Sequence, residues 1–281
     1  MSKNLVSFDW AMKKLLRSKA NFGILEGFLS ELLKQDIKIL NLLESESNKD
    51  ERDSKQNRVD VLVQVQNGEI VLIEVQVNTE LDYLQRMLYG TSKIVSEYLN
   101  EGEAYKQVKK VYSVNILYFS LGHGKDYVYH GTTKFIGIHH QDELALTTTQ
   151  KEIYKKERIH QIYPEYYLIK VNEFNDVAKD TLDEWIYFLK NEEIKDNFHA
   201  KGLHEAKDKL STLKLSDQEK LAYKRFIDDG HYQASMVESN YDKGKAEGKI
   251  EIAKKMKDAG MSAELIQQVT GIDINNMSNI K

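Results

Sequence analysis

The chain has no cysteine, a single proline, no excess of basic residues and no long apolar run. Without cysteine, disulfides, thiolate nucleophiles, zinc ribbons and iron–sulfur clusters are excluded. No stretch approaches the roughly 18 apolar residues that a membrane-spanning helix needs. The opening MSKNLVSFDWAMKKLL has neither an uninterrupted apolar segment nor a small-residue cleavage site, so no secretory signal is expected. Lysine and arginine number 40 against 44 aspartates and glutamates, a net charge of −4. That balance excludes a globally basic coat for nucleic acid but not a local basic groove, because the field at a site depends on nearby charge. One proline and 15 glycines leave little room for loop-rich architecture. What remains is 281 residues, 41% hydrophobic and 30% charged. This is the composition of a soluble cytoplasmic protein with one large domain, or one domain with an appendage.

Apolar periodicity organises the chain. Leu5, Phe8, Met12, Leu15 and Leu16 fall at helical spacing, as do Phe22, Leu25, Phe28, Leu29, Leu32 and Leu33. Residues 44–57 contain no apolar side chain and read as a solvated loop. Val59, Val61, Val63 and Val65 then alternate, Asn67-Gly68 interrupts, and Val71, Ile73, Val75 and Val77 alternate again, which predicts a β-hairpin. Residues 81–100 return to helical spacing, with Leu81, Leu84, Leu88, Val95 and Leu99 on or near one face, and a β-rich run from Val111 to Leu121 follows. Hairpin, helix, strand implies a mixed sheet with a right-handed crossover. Further strands are expected at 133–139 and 165–171. From Val177 onward the pattern is helical, and Gly230 and the Gly244/Gly248 pair are the expected breaks between body and tail.

The hairpin's register locates a site. A two-residue turn at Asn67-Gly68 would set Val61 opposite Glu74 and send the two strands' valines to opposite faces. A three-residue loop, Gln66-Asn67-Gly68, instead pairs Val59 with Val75, Val61 with Ile73 and Val63 with Val71, giving one continuous apolar face. Gly68 then takes the left-handed bulge position after a type I turn. The same register sets Asp60 opposite Glu74 and Arg58 opposite Gln76 on the second face, beside Leu62 and Leu72. Two carboxylates with β-carbons about 5 Å apart repel each other and call for a cation or a proton between them. Hard oxygen ligands so arranged suit Mg²⁺ or Mn²⁺, which keep positions open for phosphate substrates. The competing reading is an exposed acidic pair at a sheet end, neutralised by Arg58.

Asp60 followed after thirteen residues by Glu74-Val75-Gln76 resembles the Asp…Glu-x-Lys core of the PD-(D/E)XK nuclease superfamily, with glutamine in the lysine position. More narrowly, the chain resembles the Rpn family of recombination-promoting nucleases, also called PD-(D/E)XK nuclease family transposases. The resemblance takes in Phe8-Asp9 with Lys13, Arg86 with Tyr89, Gly102 with Tyr105, Tyr163-Pro164-Glu165-Tyr166-Tyr167, Leu182 with Trp185, and a tail of repeated Lys-Gly and Glu-Gly steps. Val59 stands where the superfamily name calls for proline, a mainly structural position. Gln76 matters more: a lysine stabilises developing negative charge, whereas an amide orients water and exchanges hydrogen bonds. The resembling family normally carries glutamine there, so the identity of the general base stays open.

The resemblance implies a restriction-endonuclease-like αβα core with a mixed sheet and a helical C-terminal region. The expected divisions are a nuclease-like domain over 1–195, a helical extension over 196–240 and a helical tail over 241–281. It implies DNA as the partner and Mg²⁺, or Mn²⁺ in its place, as the cofactor held by Asp60 and Glu74, with Gln76 positioning the attacking water. Arg86, Tyr89 and Lys93, at i, i+3 and i+7, are candidates for clamping backbone phosphates, against the plainer reading of a solvated helix face with one packed tyrosine. Lys13 is a further candidate from the first helix, although with Asp9 it also fits a simple intrahelical ion pair. A catalytically inactive nucleic-acid-binding or interaction protein on the same scaffold is the alternative. His139-His140-Gln141-Asp142-Glu143 lacks zinc-site spacing and reads as a polar strand end. Gly122-His123-Gly124-Lys125 lacks the spacing of a phosphate loop and reads as a turn. In the tail, Ser262 is an expected N-cap and Gly271 an expected helix end. Self-association through the tail's apolar faces, as a homo-oligomer such as a dimer, is preferred over DNA contact by it.

Overall fold

The computed structural model describes residues 5–14, 16, 18–43, 60–99 and 104–273. It divides into two compact units, Met1–Leu215 and Ser216–Lys281. The first unit is built on a six-stranded sheet. Its strands are β1 (Ile39–Leu43), β2 (Val61–Val65), β3 (Ile70–Gln76), β4 (Val111–Leu117), β5 (Val128–Gly131) and β6 (Glu165–Lys170), in the spatial order β1-β2-β3-β4-β6-β5. β1, β2 and β3 are mutually antiparallel, β3, β4 and β6 run parallel, and β5 returns antiparallel along β6. The parallel step from β3 to β4 is made by helix α3 (Tyr83–Glu97), as a parallel crossover requires. This mixed sheet with flanking helices is a restriction-endonuclease-like α/β fold.

The hairpin takes the register that buries its valines together. Val61 lies opposite Ile73, Leu62 opposite Leu72 and Val63 opposite Val71. Gly68 closes the turn at φ +81°, with its N–H donating to the Val65 carbonyl at 2.8 Å. Only glycine takes that left-handed conformation without steric cost. Val63, Val71 and Ile73 are fully buried on one face, each stabilising the fold by roughly 1.5–3 kcal/mol. On the other face Leu62, Ile70 and Leu72 pack with Ile94 of α3 and Val111 of β4. Val59, Arg58 and the expected loop over 44–57 lie outside the described residues.

Helices α1 (Phe8–Lys14), α2 (Phe22–Leu33) and α5 (Thr181–Asn191) join through an aromatic cluster. Phe8 stands edge-on to Phe28, Trp185 and Phe188, with ring centroids 5.8, 6.4 and 6.1 Å away. Helix α4 (Thr148–Tyr154) begins in a capping box formed by Thr147 and Gln150, and α6 (Leu203–Lys209) packs against α2.

Three sequence expectations are corrected. Residues 133–139 form no strand: Ile136 makes an isolated bridge to Glu143, and Phe135, Ile136 and Ile138 are exposed. The strand that lies at the edge beside β6 is β5 instead. His139 and His140 accordingly lie in an exposed turn rather than at a strand end. Leu81, just ahead of α3, and Leu84 and Leu88 within it are not a buried face, being 97%, 51% and 57% exposed. The C-terminal half of the helix rests on leucines, whereas its N-terminal half overlies the polar end of β3, so polar and small side chains turn inward there.

In the second unit, α7 (Asp217–Asp258) runs for 42 residues, about 63 Å, from a capping box of Ser216 and Glu219. It passes Gly230, Gly244 and Gly248 without a break, although each interior glycine costs about 1 kcal/mol relative to alanine. Helix α8 (Ala263–Thr270) starts at Ser262, whose hydroxyl accepts the Leu265 N–H, and stops at Gly271 with φ +73°. Ala253 of α7 and Ile266 of α8 are fully buried. No helix among the described residues is long and apolar enough to cross a membrane.

Candidate active site

The hairpin ends at a cluster of carboxylates. Asp60 sits in the bend just before β2, and its Oδ2 accepts the backbone N–H of Val75 at 2.7 Å. The side chain thus ties the start of β2 to the residue after Glu74, on the partner strand. Glu74 follows Ile73 in β3 and so points to the α3 side of the sheet, where it is buried at 7% exposure. Among the described residues no basic side chain forms an ion pair with it. Its carboxyl is pushed up to about 7, chiefly by burial and further by the neighbouring Asp60 charge, against the opposing pull of Arg86 and a hydrogen bond from Tyr83.

Two residues cover Glu74 from beside and above. Asn115 of β4 is its neighbour in the parallel ladder. The Tyr83 phenol, at the start of α3, lies 2.9 Å from Asn115 Oδ1 and 3.5 Å from Glu74 Oε2. Gly90, two turns further along α3, presents no side chain: a β-carbon there would stand 3.9 Å from Glu74 Oε1, an ordinary contact.

Gln76 ends β3 at the rim of the cluster. Its amide nitrogen donates to the Asn78 carbonyl at 3.1 Å and to Glu80 Oε1 at 2.8 Å, and its oxygen accepts from Arg86 Nη1 at 3.4 Å. Arg86 gives its strongest contacts to Glu80, at 2.6 and 2.8 Å. Its Nε is buried without a hydrogen-bond partner.

The structure therefore gathers Asp60, Glu74, Gln76 and Arg86 at one end of the sheet. It does not bring Tyr89 and Lys93 with them. Tyr89 is 56% exposed, and Lys93 pairs with Glu97 at 3.6 Å. The face of α3 that meets Glu74 carries Tyr83, Arg86 and Gly90. Lys13 belongs to α1, where Asp9 one turn earlier is buried, but the Lys13 side chain lies outside the described residues. Sequence reasoning missed Tyr83, Glu80, Gly90 and Asn115. A signal existed for the last: Ser113 and Asn115 interrupt an otherwise apolar strand at period two, on the face that Glu74 shares.

The family model for PD-(D/E)XK nuclease family transposases matches residues 6–240. The chain belongs to that family. The match spans the whole sheet and every residue of the carboxylate cluster, and it gives the protein a nuclease-like or transposase-related role. No curated protein and no solved structure matches the chain.

PD-(D/E)XK nucleases typically use divalent metals. No group of three or more metal-ligating side chains occurs among the described residues. A pair of carboxylates still fits Mg²⁺ or Mn²⁺, which keep much of their hydration and take one or two protein carboxylates. The donor set is all oxygen, and among the described residues Glu74 has no ion-pair partner.

Proposed function

We propose that the chain is a metal-dependent DNA endonuclease that hydrolyses phosphodiester bonds, with Asp60 and Glu74 holding Mg²⁺ or Mn²⁺. The observation that carries this reading is a buried glutamate with no basic partner among the described residues, set beside a second carboxylate at the end of β3. A divalent cation bound there supplies Lewis acidity toward the phosphate and acidifies a water. Asp60 and Glu74 are fixed by different elements, one by the Val75 N–H and the other by strand β3, so neither has to be ordered on binding. Gln76 orients water through an amide whose own position is set by Glu80 and Asn78. Arg86 steadies the phosphate, which requires it to exchange at least part of its contact with Glu80 for the new anion. In this reading Tyr89, Lys93 and Lys13 lie outside the chemistry and serve DNA contact at most.

Cleavage of DNA in recombination, mobile-element movement or defence is the setting this activity implies, in the cytoplasm. A dimer is the proposed form. Leu221, Tyr232, Met236, Val237 and Tyr241 of α7 are all about half exposed or more, and a second copy would cover them. The decisive test of the function is plasmid cleavage by wild type and Asp60→Asn in Mg²⁺, in Mn²⁺ and in excess chelator. Wild type is expected to cut only with metal, and the variant not at all. Cutting in chelator, or by the variant, rejects the mechanism.

A further inference from the structure

One carboxylate oxygen of Glu74 borders a phenol held in place by Asn115, and the other borders a glycine. The aim begins at Asn115, which is 1% exposed. Its amide nitrogen donates to the Ser113 carbonyl at 3.1 Å, the Ser113 hydroxyl at 3.0 Å and the Tyr167 carbonyl at 3.3 Å. Two of those three oxygens are carbonyls that accept and never donate, so the amide cannot be turned over without leaving them unpaired. Asn115 Oδ1 must therefore face Tyr83. The phenol has one proton to share between this oxygen at 2.9 Å and Glu74 Oε2 at 3.5 Å. The ring cannot swing away. It is fully buried, stands edge-on to Phe119 at 5.8 Å, packs with Leu117 and carries the Arg86 guanidinium over it at 5.9 Å.

The other carboxylate oxygen meets Gly90. A lone glycine within α3 costs about 1 kcal/mol of helix stability relative to alanine. Nothing in the packing forbids an alanine there, since its β-carbon would meet only Glu74 Oε1, at 3.9 Å. The glycine thus leaves open the volume over Oε1.

We infer that Tyr83, itself aimed by Asn115, is the positioning residue for Glu74: it fixes Oε2, while Gly90 keeps Oε1 clear for the divalent cation. The inference rests on the metal-dependent reading above and adds two residues to it, neither of which touches substrate. Groups that orient a metal ligand in this way typically account for about 10- to 100-fold in metal affinity.

The test is Mn²⁺ binding by titration calorimetry, together with melting temperature in chelator, for wild type, Tyr83→Phe, Gly90→Ala and Asp60→Asn. Tyr83→Phe removes one oxygen and keeps the packing. It is expected to weaken Mn²⁺ binding about tenfold or more. Gly90→Ala is expected to melt higher in chelator and still bind Mn²⁺ more weakly, a combination that a purely structural role for the glycine does not produce. If both variants bind Mn²⁺ as wild type does, while Asp60→Asn does not bind, the positioning role is wrong and the metal site stands. If wild type itself binds no Mn²⁺, the metal-dependent reading fails and this inference falls with it. Should Tyr83→Phe fail to fold, Gly90→Ala decides alone: unchanged affinity overturns the inference.

Discussion

Replacing Glu74 by glutamine should stabilise the metal-free protein at alkaline pH, and by an amount the structure sets. The Glu74 carboxyl titrates at about 7 instead of 4.5 because burial and the Asp60 charge disfavour its ionised form. Folded protein therefore holds this proton more tightly than unfolded chain does. Stability attributable to the site is greatest below about 4.5, falls as pH rises toward 7, and stays low above it. At roughly 1.4 kcal/mol per pH unit, the ionised carboxylate costs the fold about 3 kcal/mol. Glutamine has the same shape and cannot ionise. Near pH 4.5 the variant and wild type should unfold with similar free energies, and at pH 8 the variant should be more stable by about 3 kcal/mol. For a unit of this size that corresponds to a melting temperature about 6–12 °C higher. Equilibrium denaturation in excess chelator at the two pH values measures both numbers. Added Mn²⁺ should raise wild type and leave the variant where it was, since ligand binding stabilises only what it binds. A stability gap that is the same at both pH values would refute the reasoning, because the penalty would then not be one of charge.

Metal binding should release protons around neutral pH, since the cation requires the ionised carboxylate; affinity measured by calorimetry in buffers of differing ionisation enthalpy should rise as pH approaches about 7 and level off above it. At Gln76, substitution by leucine should lower plasmid cleavage sharply, because it removes the amide that meets Glu80 and Arg86, while lysine should preserve or raise it; a leucine variant as fast as wild type contradicts the water-orienting role. Lys110→Met should destabilise the fold by about 3–5 kcal/mol in chemical denaturation, without changing cleavage per folded molecule. The Lys110 ammonium is buried, donating to Glu165 at 2.7 Å, to the His160 carbonyl at 2.8 Å and to the Tyr163 carbonyl, so its loss leaves those two carbonyls unpaired and the buried Glu165 carboxylate with His130 alone, at 2.8 Å.

The hairpin was legible because alternation and burial admit one register. The eight alternating valines and isoleucines of the two runs can share a face in a single way, and that way sets Asp60 beside Glu74. Helix α3 was legible as a helix but not in its orientation. Apolar periodicity points to the face with the most leucine, whereas the face turned inward at Glu74 must accommodate a carboxylate and so carries Tyr83, Arg86 and Gly90. Leu81, Leu84 and Leu88 go outward as a consequence. Glu80 was hidden for another reason. Its part in the site depends on the loop between β3 and α3 folding back over Gln76, and no periodicity reports that. The expected strand over 133–139 failed because Phe135, Ile136 and Ile138 alternate apolar character without any sheet face to bury it against. Alternation is a condition for a half-buried strand, and a neighbouring strand is another.

Charge at the cluster explains why Arg86, its one cation among the described residues, leaves Glu74 short of a partner. Arg86 makes its strong contacts with Glu80, at 2.6 and 2.8 Å, and reaches Glu74 only through the longer-range field. The charge that Glu80 takes from Arg86 is charge that Glu74 does not receive. Among the described residues, Asp60, Glu74 and Glu80 when ionised set three negative charges near the single positive charge of Arg86, a surplus that a divalent cation would offset. Without that cation the cheapest remedy is a proton on the most buried of the three, which is the group whose titration is raised. On the proposed function, the same surplus would set the order of events with DNA. A phosphate approaching the bare cluster would meet net negative charge and be repelled, whereas one approaching a metal-loaded cluster would meet a largely neutralised site. Metal before phosphate is then a consequence of the local charge count, and DNA binding at the site should itself strengthen with Mg²⁺ rather than weaken through screening alone.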